Sequence, residues 1–205
     1  ALVPRDDRFD VDIAGVVSAA REHDAKLVFV ASPNNPTGNL TPEKDVRELL
    51  SAGLVVVLDE AYYEFCGETA AGMVAEHENL VVLRTFSKWA GLAGLRVGYG
   101  IMSPALVDHI IDIKSPYNVN SAGEAAVLAS LEDTAALLAK VRLIVEERER
   151  MFSLLESMPG LTPWPSRGNF ILCQMADGRA QEVFEGLARR GIFVRLPGSE
   201  RLKDC

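Results

Sequence analysis

The sequence predicts an α/β fold built on a mostly parallel sheet, and three observations lead to this prediction. Short apolar runs recur through the first half of the chain, and each run ends in a polar cluster. The runs contain valine and leucine without polar alternation, as in strands that are covered on both faces. The segments between the runs have helical character, and alternating strands and helices build parallel sheets.

Four strands are expected in the first half of the chain. They lie at residues 27–31, 54–58, 80–83 and 97–101. The first three end in the polar segments SPNNPTGN, DEAYYEF and RTFSKWAGLAGLR. Between the first two strands, Thr41 is the expected N-cap of a helix that has Pro42 at its first position and extends to Leu50.

The second half of the chain changes to helical periodicity from about Ser121. After Pro159 and Gly160 the pattern changes again. It predicts a strand near residues 170–173, a helix at about 179–190 and a strand at 192–195. We therefore expect two domains, a large one at residues 1–132 and a smaller α+β domain at residues 133–205.

The composition argues against several classes of partner. The 205 residues include 21 basic and 29 acidic ones, a net charge of −8, without a cluster of Lys and Arg. Nucleic acids and anionic membranes are therefore unfavourable partners. No apolar run approaches the roughly 20 residues that span a bilayer, and the three cysteines lack metal-ligand spacing. We expect a cytoplasmic protein without a bound metal, and both ends of the chain read as those of a fragment.

The polar clusters that follow the strands predict a single site. Ligands of open α/β sheets bind in the crevice beyond the carboxyl ends of the strands, so the clusters are expected to converge there. The candidate residues are Asn34, Asn35, Asp59, Tyr62, Thr85, Ser87, Lys88 and Arg96.

These residue types suit one particular chemistry. A lysine in a partly desolvated site can lose its proton and act as a nucleophile, as we expect of Lys88. Arg96, with the hydroxyls of Thr85 and Ser87, suits a phosphate group. Asp59 is expected to face the crevice at the end of its strand, where a buried carboxylate needs a cationic partner. An amine nucleophile, a phosphate clamp and a carboxylate for a ring cation are what pyridoxal 5′-phosphate requires.

Each of these signals has a plainer interpretation when taken alone. An Asp-Glu pair at a strand end is as often a metal ligand or a helix cap, and an isolated Ser-Lys pair is more often on the surface. The glycine-rich run after Lys88 does not match the dinucleotide-binding pattern GxGxxG. We expect its glycines to allow a tight turn and close backbone packing instead.

Taken together and in order, the segments SPNNPTG, DEAY and TFSKWAGLAGLRVGY resemble the signature blocks of the fold-type I aminotransferases of class I/II. The shorter segments VPRDDRFDVDI, KSPYNVN and GNF resemble the histidinol-phosphate subgroup of that family. The resemblance implies a large domain like that of the pyridoxal-phosphate-dependent transferases, with a mostly parallel mixed sheet between helices. It also implies a smaller α+β domain at the C-terminal side.

The resemblance also implies individual roles. Lys88 would hold pyridoxal 5′-phosphate as a Schiff base and later move a proton between the substrate and the cofactor. Asp59 would pair with the protonated ring nitrogen of the cofactor. Asn35 and Tyr62 would hydrogen-bond the 3′ oxygen of the ring. Of these, Lys88, Asp59 and Tyr62 are the expected catalytic residues.

The remaining implied contacts concern the phosphate and the substrate. Arg96 and Ser87, with Thr85 beside them, would hold the cofactor phosphate, and Asn169 would face the substrate. Further parts of such enzymes would lie upstream of Ala1 or beyond Cys205, which leaves the activity of this chain alone open.

The expected function is reversible transfer of an amino group between histidinol phosphate and 2-oxoglutarate in histidine biosynthesis, carried out by a homodimer. The small-molecule partners are thus an amino donor and a 2-oxo acid. Three alternatives stay open at this point. They are an aminotransferase for aromatic or other amino acids, a decarboxylase of a phosphorylated amino acid, and a regulator that senses pyridoxal phosphate.

Overall fold

The first half of the chain forms a four-stranded sheet in the computed structural model, which describes residues 1–205. The strands are β1 (Leu27–Ala31), β2 (Val55–Asp59), β3 (Leu80–Thr85) and β4 (Gly98–Ile101). They lie side by side in chain order; β1, β2 and β3 are parallel, and β4 is antiparallel to β3. The α/β class and the mostly parallel sheet are therefore confirmed, and all four strands lie within one or two residues of their predicted bounds.

Seven α-helices accompany two sheets. The helices are α1 (Ile13–Glu22), α2 (Glu43–Ser51), α3 (Tyr63–Cys66), α4 (Pro104–Ile113), α5 (Ser121–Glu132), α6 (Thr134–Glu156) and α7 (Ala180–Ala188). The second sheet contains only β5 (Leu161–Pro163) and β6 (Cys173–Met175), which are antiparallel. None of the helices has the length and apolar content needed to cross a membrane.

The main core lies on one face of the four-stranded sheet. Twelve buried hydrophobic residues form one cluster there, with contributions from α1, α2 and the 3₁₀ turn at Ala71–Ala75. Side chains of a strand alternate between the two faces, so Val56 and Leu58 of β2 point into this core, as do Leu80 and Val82 of β3. The buried face therefore fixes which residues of β2 and β3 point to the opposite face.

The opposite face is covered less completely than the sequence predicts. Val57 and Val81 are buried there, in agreement with strands that are covered on both faces. Phe29 of β1, in contrast, is 70% exposed and Leu27 is 45% exposed. The apolar run of β1 predicts burial of both faces, but no element of this chain packs over these two side chains.

The predicted cap of α2 is wrong by one residue. The helix begins at Glu43, and its N-cap is Pro42, whose φ of −59° and ψ of 148° are extended. Thr41 is thereby too far from the first turn to cap it, and its Oγ1 is buried without a hydrogen-bond partner. Glu43 and Asp45 lie in the first turn instead, where negative charge interacts favourably with the helix dipole.

The predictions for the last third of the chain are less accurate. The expected helix is present as α7, but the strand near residues 170–173 overlaps β6 only at Cys173, and β5 has no counterpart among the predicted elements. Residues 192–195 are not a strand, and Phe193 is 84% exposed. An apolar run becomes a strand only when a neighbouring strand accepts its backbone hydrogen bonds, and no strand of this chain lies beside it.

Candidate active site

Three polar loops meet at the carboxyl edge of the four-stranded sheet. β1, β2 and β3 are parallel neighbours, so the loops that follow them leave the sheet at the same edge. These loops carry the segments SPNNPTG, DEAY and TFSK. The predicted convergence of the three clusters is therefore observed.

Asn35 and Tyr62 join the first loop to the second. The Asn35 amide donates a hydrogen bond of 2.7 Å to the Tyr62 hydroxyl oxygen. Tyr62 is buried, and its ring packs edge-on against Phe170 at a centroid distance of 5.0 Å. The Tyr62 hydroxyl accepts the amide hydrogen and keeps its own hydrogen free to donate to a ligand. Tyr62 thus presents one oriented hydroxyl hydrogen at the sheet edge.

Lys88 lies beside this pair, in the loop after β3. Its ammonium nitrogen is 5.7 Å from the centroid of the Tyr62 ring. The side chain is exposed and makes no hydrogen bond or ion pair. The expected partial desolvation of Lys88 is therefore wrong for this chain, because no element packs over the crevice. The amine is free to react with a ligand there.

Thr85, Ser87 and Arg96 form the third part of the site. The hydroxyl oxygen of Thr85 lies 2.8 Å from that of Ser87 and accepts a hydrogen bond from the Ser87 backbone N–H. The Thr85 hydroxyl also donates to the Val97 carbonyl at 3.2 Å, so the residue that follows Arg96 in the chain contacts Thr85. The Arg96 guanidinium donates only to the Ala93 carbonyl and is otherwise exposed. The two hydroxyls therefore lie together, and Arg96 adds a permanent cation two residues before β4, the strand that pairs with β3.

The backbone around Arg96 has special geometry. Arg96 has a φ of +59°, a left-handed conformation that costs a residue with a side chain roughly 1–2 kcal/mol. Such strain is found most often at functional sites. Gly91 has a φ of +72°, and a Cβ atom at Gly98 would lie 2.6 Å from the Arg84 carbonyl oxygen. The expected role of these glycines in a tight turn and in close backbone packing is confirmed.

Asp59 is not the buried carboxylate that the sequence suggests. Its side chain is exposed at the end of β2, accepts a hydrogen bond of 3.0 Å from the Ala61 N–H, and has no cationic partner. The buried carboxylate is its neighbour Glu60, which is paired with Arg84. The alternation of side chains along β2 explains why Glu60 is buried and Asp59 is not. Glu60 points to the same face as the core residues, and Asp59 points to the other face.

The Glu60–Arg84 pair was missed at the level of sequence, although a signal exists. Glu60 continues the register of Val56 and Leu58, so its side chain must enter the covered face of the sheet and needs a cation there. Arg84 continues the same register on β3. Burial is the largest influence on the pKa of Arg84 and acts to lower it. Hydrogen bonds to Tyr99 and Glu60 and the charge of Glu60 outweigh it, and the pKa is raised.

Asn169, like Asp59 and Arg96, has a side chain that makes no hydrogen bond or ion pair with another predicted site residue. Its side chain is exposed and makes no hydrogen bond. Its neighbour Phe170 contacts Tyr62, so the segment itself lies beside the site. The adjoining backbone N–H of Arg167 donates to the Gly38 carbonyl at 2.7 Å, which holds this segment against the first polar loop.

A cavity of about 470 Å³ opens between α6, α7 and β6. Its lining is mostly hydrophobic, with 15 of 19 residues apolar, and it includes Asn35 and Phe170 at the side of the site. Lys88 and Asp59 are not part of it. The chemically reactive groups are therefore at the sheet edge rather than in this cavity.

The unpaired Lys88 side chain, the unpaired Asp59 carboxylate, the oriented Tyr62 hydroxyl and the paired hydroxyls of Thr85 and Ser87 thus lie at one edge of the sheet. No cluster of three side chains suited to a metal ion accompanies them. This set suits a ligand that combines an anionic group, a carbonyl and a basic ring nitrogen.

Comparison with known families agrees with this chemistry. The family model described as aminotransferase class I and II matches residues 2–203. The histidinol-phosphate aminotransferase of Roseiflexus castenholzii is 47% identical over 206 residues, which cover 99% of this chain and 56% of that protein. The enzyme of the same name from Dehalococcoides mccartyi is 45% identical over 203 residues, with the same shares. The chain spans about half the length of the curated relatives it matches.

A solved structure has the same fold. It is the histidinol-phosphate aminotransferase from Sinorhizobium meliloti in complex with pyridoxal-5′-phosphate, with a TM-score of 0.89 and 31% identity. The match covers all of this chain and 58% of that one. This likeness confirms the expected fold class.

Proposed function

The chain belongs to the aminotransferase class I and II family, and on that premise we propose that its sheet edge binds pyridoxal 5′-phosphate and catalyses transamination. The observation that carries the proposal is the meeting of Lys88 with the hydrogen-bonded Asn35–Tyr62 pair, at 5.7 Å between the Lys88 nitrogen and the Tyr62 ring. This arrangement brings the unpaired side-chain nitrogen of Lys88 close to the oriented Tyr62 hydroxyl at the carboxyl edge of the sheet.

The residues around Lys88 have complementary tasks in this proposal. Bound pyridoxal phosphate supplies an aldehyde that captures amines and a ring that accepts electrons. Lys88 would hold the cofactor through its side-chain nitrogen and would take up and return the proton of the substrate α-carbon. Asp59 would stabilise the positive charge of the protonated ring nitrogen. The Tyr62 hydroxyl, held by Asn35, would donate to the ring oxygen.

Thr85, Ser87 and Arg96 hold the cofactor phosphate. The Ser87 hydroxyl, which lies 2.8 Å from that of Thr85, would donate a hydrogen bond, and the guanidinium would add a charge that no carboxylate of the chain neutralises. The contact between the two hydroxyls and the exposure of the Arg96 side chain support this part of the proposal. Anchoring the phosphate would keep the cofactor beside Lys88.

We propose histidinol phosphate as the amino donor and 2-oxoglutarate as the acceptor. The relatives that carry the first of these names are 45% and 47% identical to the chain, which supports the same donor here. The amino group leaves the donor as its carbon becomes a ketone, and it is transferred to the 2-oxo acid, which becomes an amino acid. Asn169, exposed beside Phe170, is the proposed contact to the substrate.

The proposal includes a domain division and an assembly. We place the large domain at residues 1–132 and the small one at 133–205, which is supported by the break between α5 and α6 at Asp133. We also propose a cytoplasmic homodimer, and the exposed apolar side chains of Ile113 and Tyr117 support an interface there.

An assay of the full-length protein that carries this chain tests the proposal. The protein is incubated with histidinol phosphate and 2-oxoglutarate, and glutamate is measured; Lys88→Ala is the control. We expect glutamate from the wild type and none from the variant. Parallel reactions replace histidinol phosphate by an aromatic amino acid or by a phosphorylated amino acid. Faster turnover of the aromatic amino acid would replace the proposed donor, and release of carbon dioxide from the phosphorylated amino acid would indicate a decarboxylase. A protein that binds the cofactor without any turnover would be a sensor.

A further inference from the structure

The buried Glu60–Arg84 ion pair lies between the two loops that carry most of the candidate site. Glu60 follows Asp59 directly, and Arg84 precedes Thr85. β2 and β3 are parallel neighbours, and their ladder continues past the strand end because the Glu60 N–H donates to the Leu83 carbonyl at 2.9 Å. The first residue after β2 is therefore hydrogen-bonded to the backbone of β3.

The Glu60 and Arg84 side chains contact each other and several further groups of the chain. One carboxylate oxygen of Glu60 accepts hydrogen bonds from Arg84 Nη2 at 3.0 Å, Arg84 Nε at 3.2 Å and the Thr69 hydroxyl at 2.7 Å. The other oxygen accepts from the Ala70 N–H at 2.7 Å. The Arg84 guanidinium also lies 3.5 Å from the centroid of the Tyr63 ring. The Glu60 and Arg84 side chains are only 2% and 11% exposed, so this ion pair is largely removed from solvent.

Strand alternation gives the pair its relation to the site. Glu60 and Arg84 point to the covered face of the sheet, while Asp59 and Thr85 point to the opposite face. Neither member of the pair reaches the crevice. Any effect on the site must therefore pass through the backbone of β2 and β3, at the peptide units that also carry Asp59 and Thr85.

We propose that Glu60 and Arg84 are positioning residues that set the separation of Asp59 from the phosphate-binding hydroxyls and Lys88. This inference rests on the proposed function, because it assigns the pair a task at the same cofactor site. A buried ion pair adds little net stability compared with an apolar pair of the same shape, so geometry is the better physical reason for its presence. Losing it lets the two loops shift relative to each other.

The test uses the full-length protein and the variant Glu60→Gln, which keeps the shape and removes the charge. Two quantities are measured: the dissociation constant of pyridoxal phosphate, and the pH midpoint of the absorption band of the bound cofactor. The matched control is Leu80→Val, which weakens the core at the far end of β3 without touching the carboxyl edge. Thermal unfolding of the cofactor-free proteins measures the loss of stability of each variant.

We expect Glu60→Gln to raise the dissociation constant by about tenfold or more, as when outer residues that orient metal ligands are removed, and to move the pH midpoint. Leu80→Val should leave both unchanged. Equal values for the two variants at similar losses of stability would overturn the inference. If Glu60→Gln does not fold, Arg84→Lys replaces it, because lysine keeps the positive charge but lacks the forked guanidinium group. The dissociation constant and the pH midpoint of that variant then test the inference. Failure of the wild type to bind the cofactor at all would instead contradict the proposed function.

Discussion

At the carboxyl edge of the sheet, charged side chains on one face have hydrogen-bond and ion-pair partners within the chain, and those on the other face lack a charged partner. On the covered face, Glu60 and Arg84 pair with each other and hydrogen-bond to further groups of the chain. On the open face, Asp59 and Lys88 have no charged partner at all. Satisfied groups hold a fold together, whereas unsatisfied exposed groups are available to a ligand. The difference therefore separates the residues that shape the site from the residues that act in it.

The largest effect on the open face is expected from Asp59→Asn. The amide keeps the hydrogen bond to the Ala61 N–H but removes the negative charge that stabilises the ring cation. Turnover of the full-length protein should fall about 10²–10³-fold, the range for losing one preorganised electrostatic contact. Steady-state kinetics with saturating cofactor measure this.

The same Asp59→Asn variant should leave the free energy of unfolding unchanged within about 0.5 kcal/mol, as for other exposed positions. Denaturant unfolding of the cofactor-free protein is the check. A loss of several kcal/mol would mean that Asp59 stabilises the fold as Glu60 and Arg84 do. The covered and open faces would then not differ in this respect.

An intermediate effect is expected from Arg96→Gly. Losing a charged hydrogen-bond donor to the cofactor phosphate should weaken cofactor binding by about 10–100-fold, equivalent to roughly 1.5–3 kcal/mol. Equilibrium dialysis of pyridoxal phosphate measures it. Because Arg96 has a φ of +59°, glycine relieves backbone strain, and the cofactor-free variant should be no less stable than the wild type.

Arg96→Lys serves as the matched variant for this position. It retains the positive charge but also the backbone strain, so it should bind the cofactor better than Arg96→Gly without any gain in stability. If the glycine variant bound the cofactor as tightly as the wild type, Arg96 would have no part in the phosphate site.

The smallest effect is expected at Glu64, which lies in α3 next to the covered face. Burial raises the pKa of its carboxyl from about 4.5 to about 7. Between these values the folded state binds more protons than the unfolded state, so the free energy of unfolding falls as the pH rises through this window. Glu64→Gln should remove that fall, with a gain on the order of 1 kcal/mol at about pH 8 after allowance for partial exposure.

Chemical denaturation at about pH 5 and about pH 8 measures this difference. Glu48→Gln, at an exposed position of α2, is the control and should change nothing. A wild type whose stability rises with pH across this window, with the slope unchanged in Glu64→Gln, would contradict the buried, protonated Glu64.

The accuracy of the sequence predictions follows the same physical division. The strands of the main sheet were predictable because runs such as residues 27–31 and 80–83 pair with one another within the chain. Residues 192–195 have an equally apolar run, but it has no neighbouring strand and is exposed. The hydrophobic pattern indicates which side chains favour burial, but it does not indicate whether a neighbouring strand is present to pair with.

The meeting of the three polar loops was predictable from the sequence, but the surroundings of their side chains were not. The order of polar segments after parallel strands is enough to bring Asn35, Tyr62 and Lys88 together. The distinction between Asp59 and Glu60 requires the register of β2, which the pair of adjacent carboxylates does not reveal by itself. The exposure of Lys88 depends on what covers the crevice, which is a property of the whole assembly rather than of the local sequence.

The most direct test of the account is the site at which the cofactor is attached. The full-length protein is saturated with pyridoxal phosphate, reduced with borohydride and digested, and the peptide that carries the added mass is identified; Lys88→Ala and the exposed Lys44→Ala are treated in the same way. The account predicts the added mass on the peptide of Lys88 in the wild type and in Lys44→Ala, and its absence from Lys88→Ala. Attachment at another lysine, or none in a well-folded wild type, would contradict it.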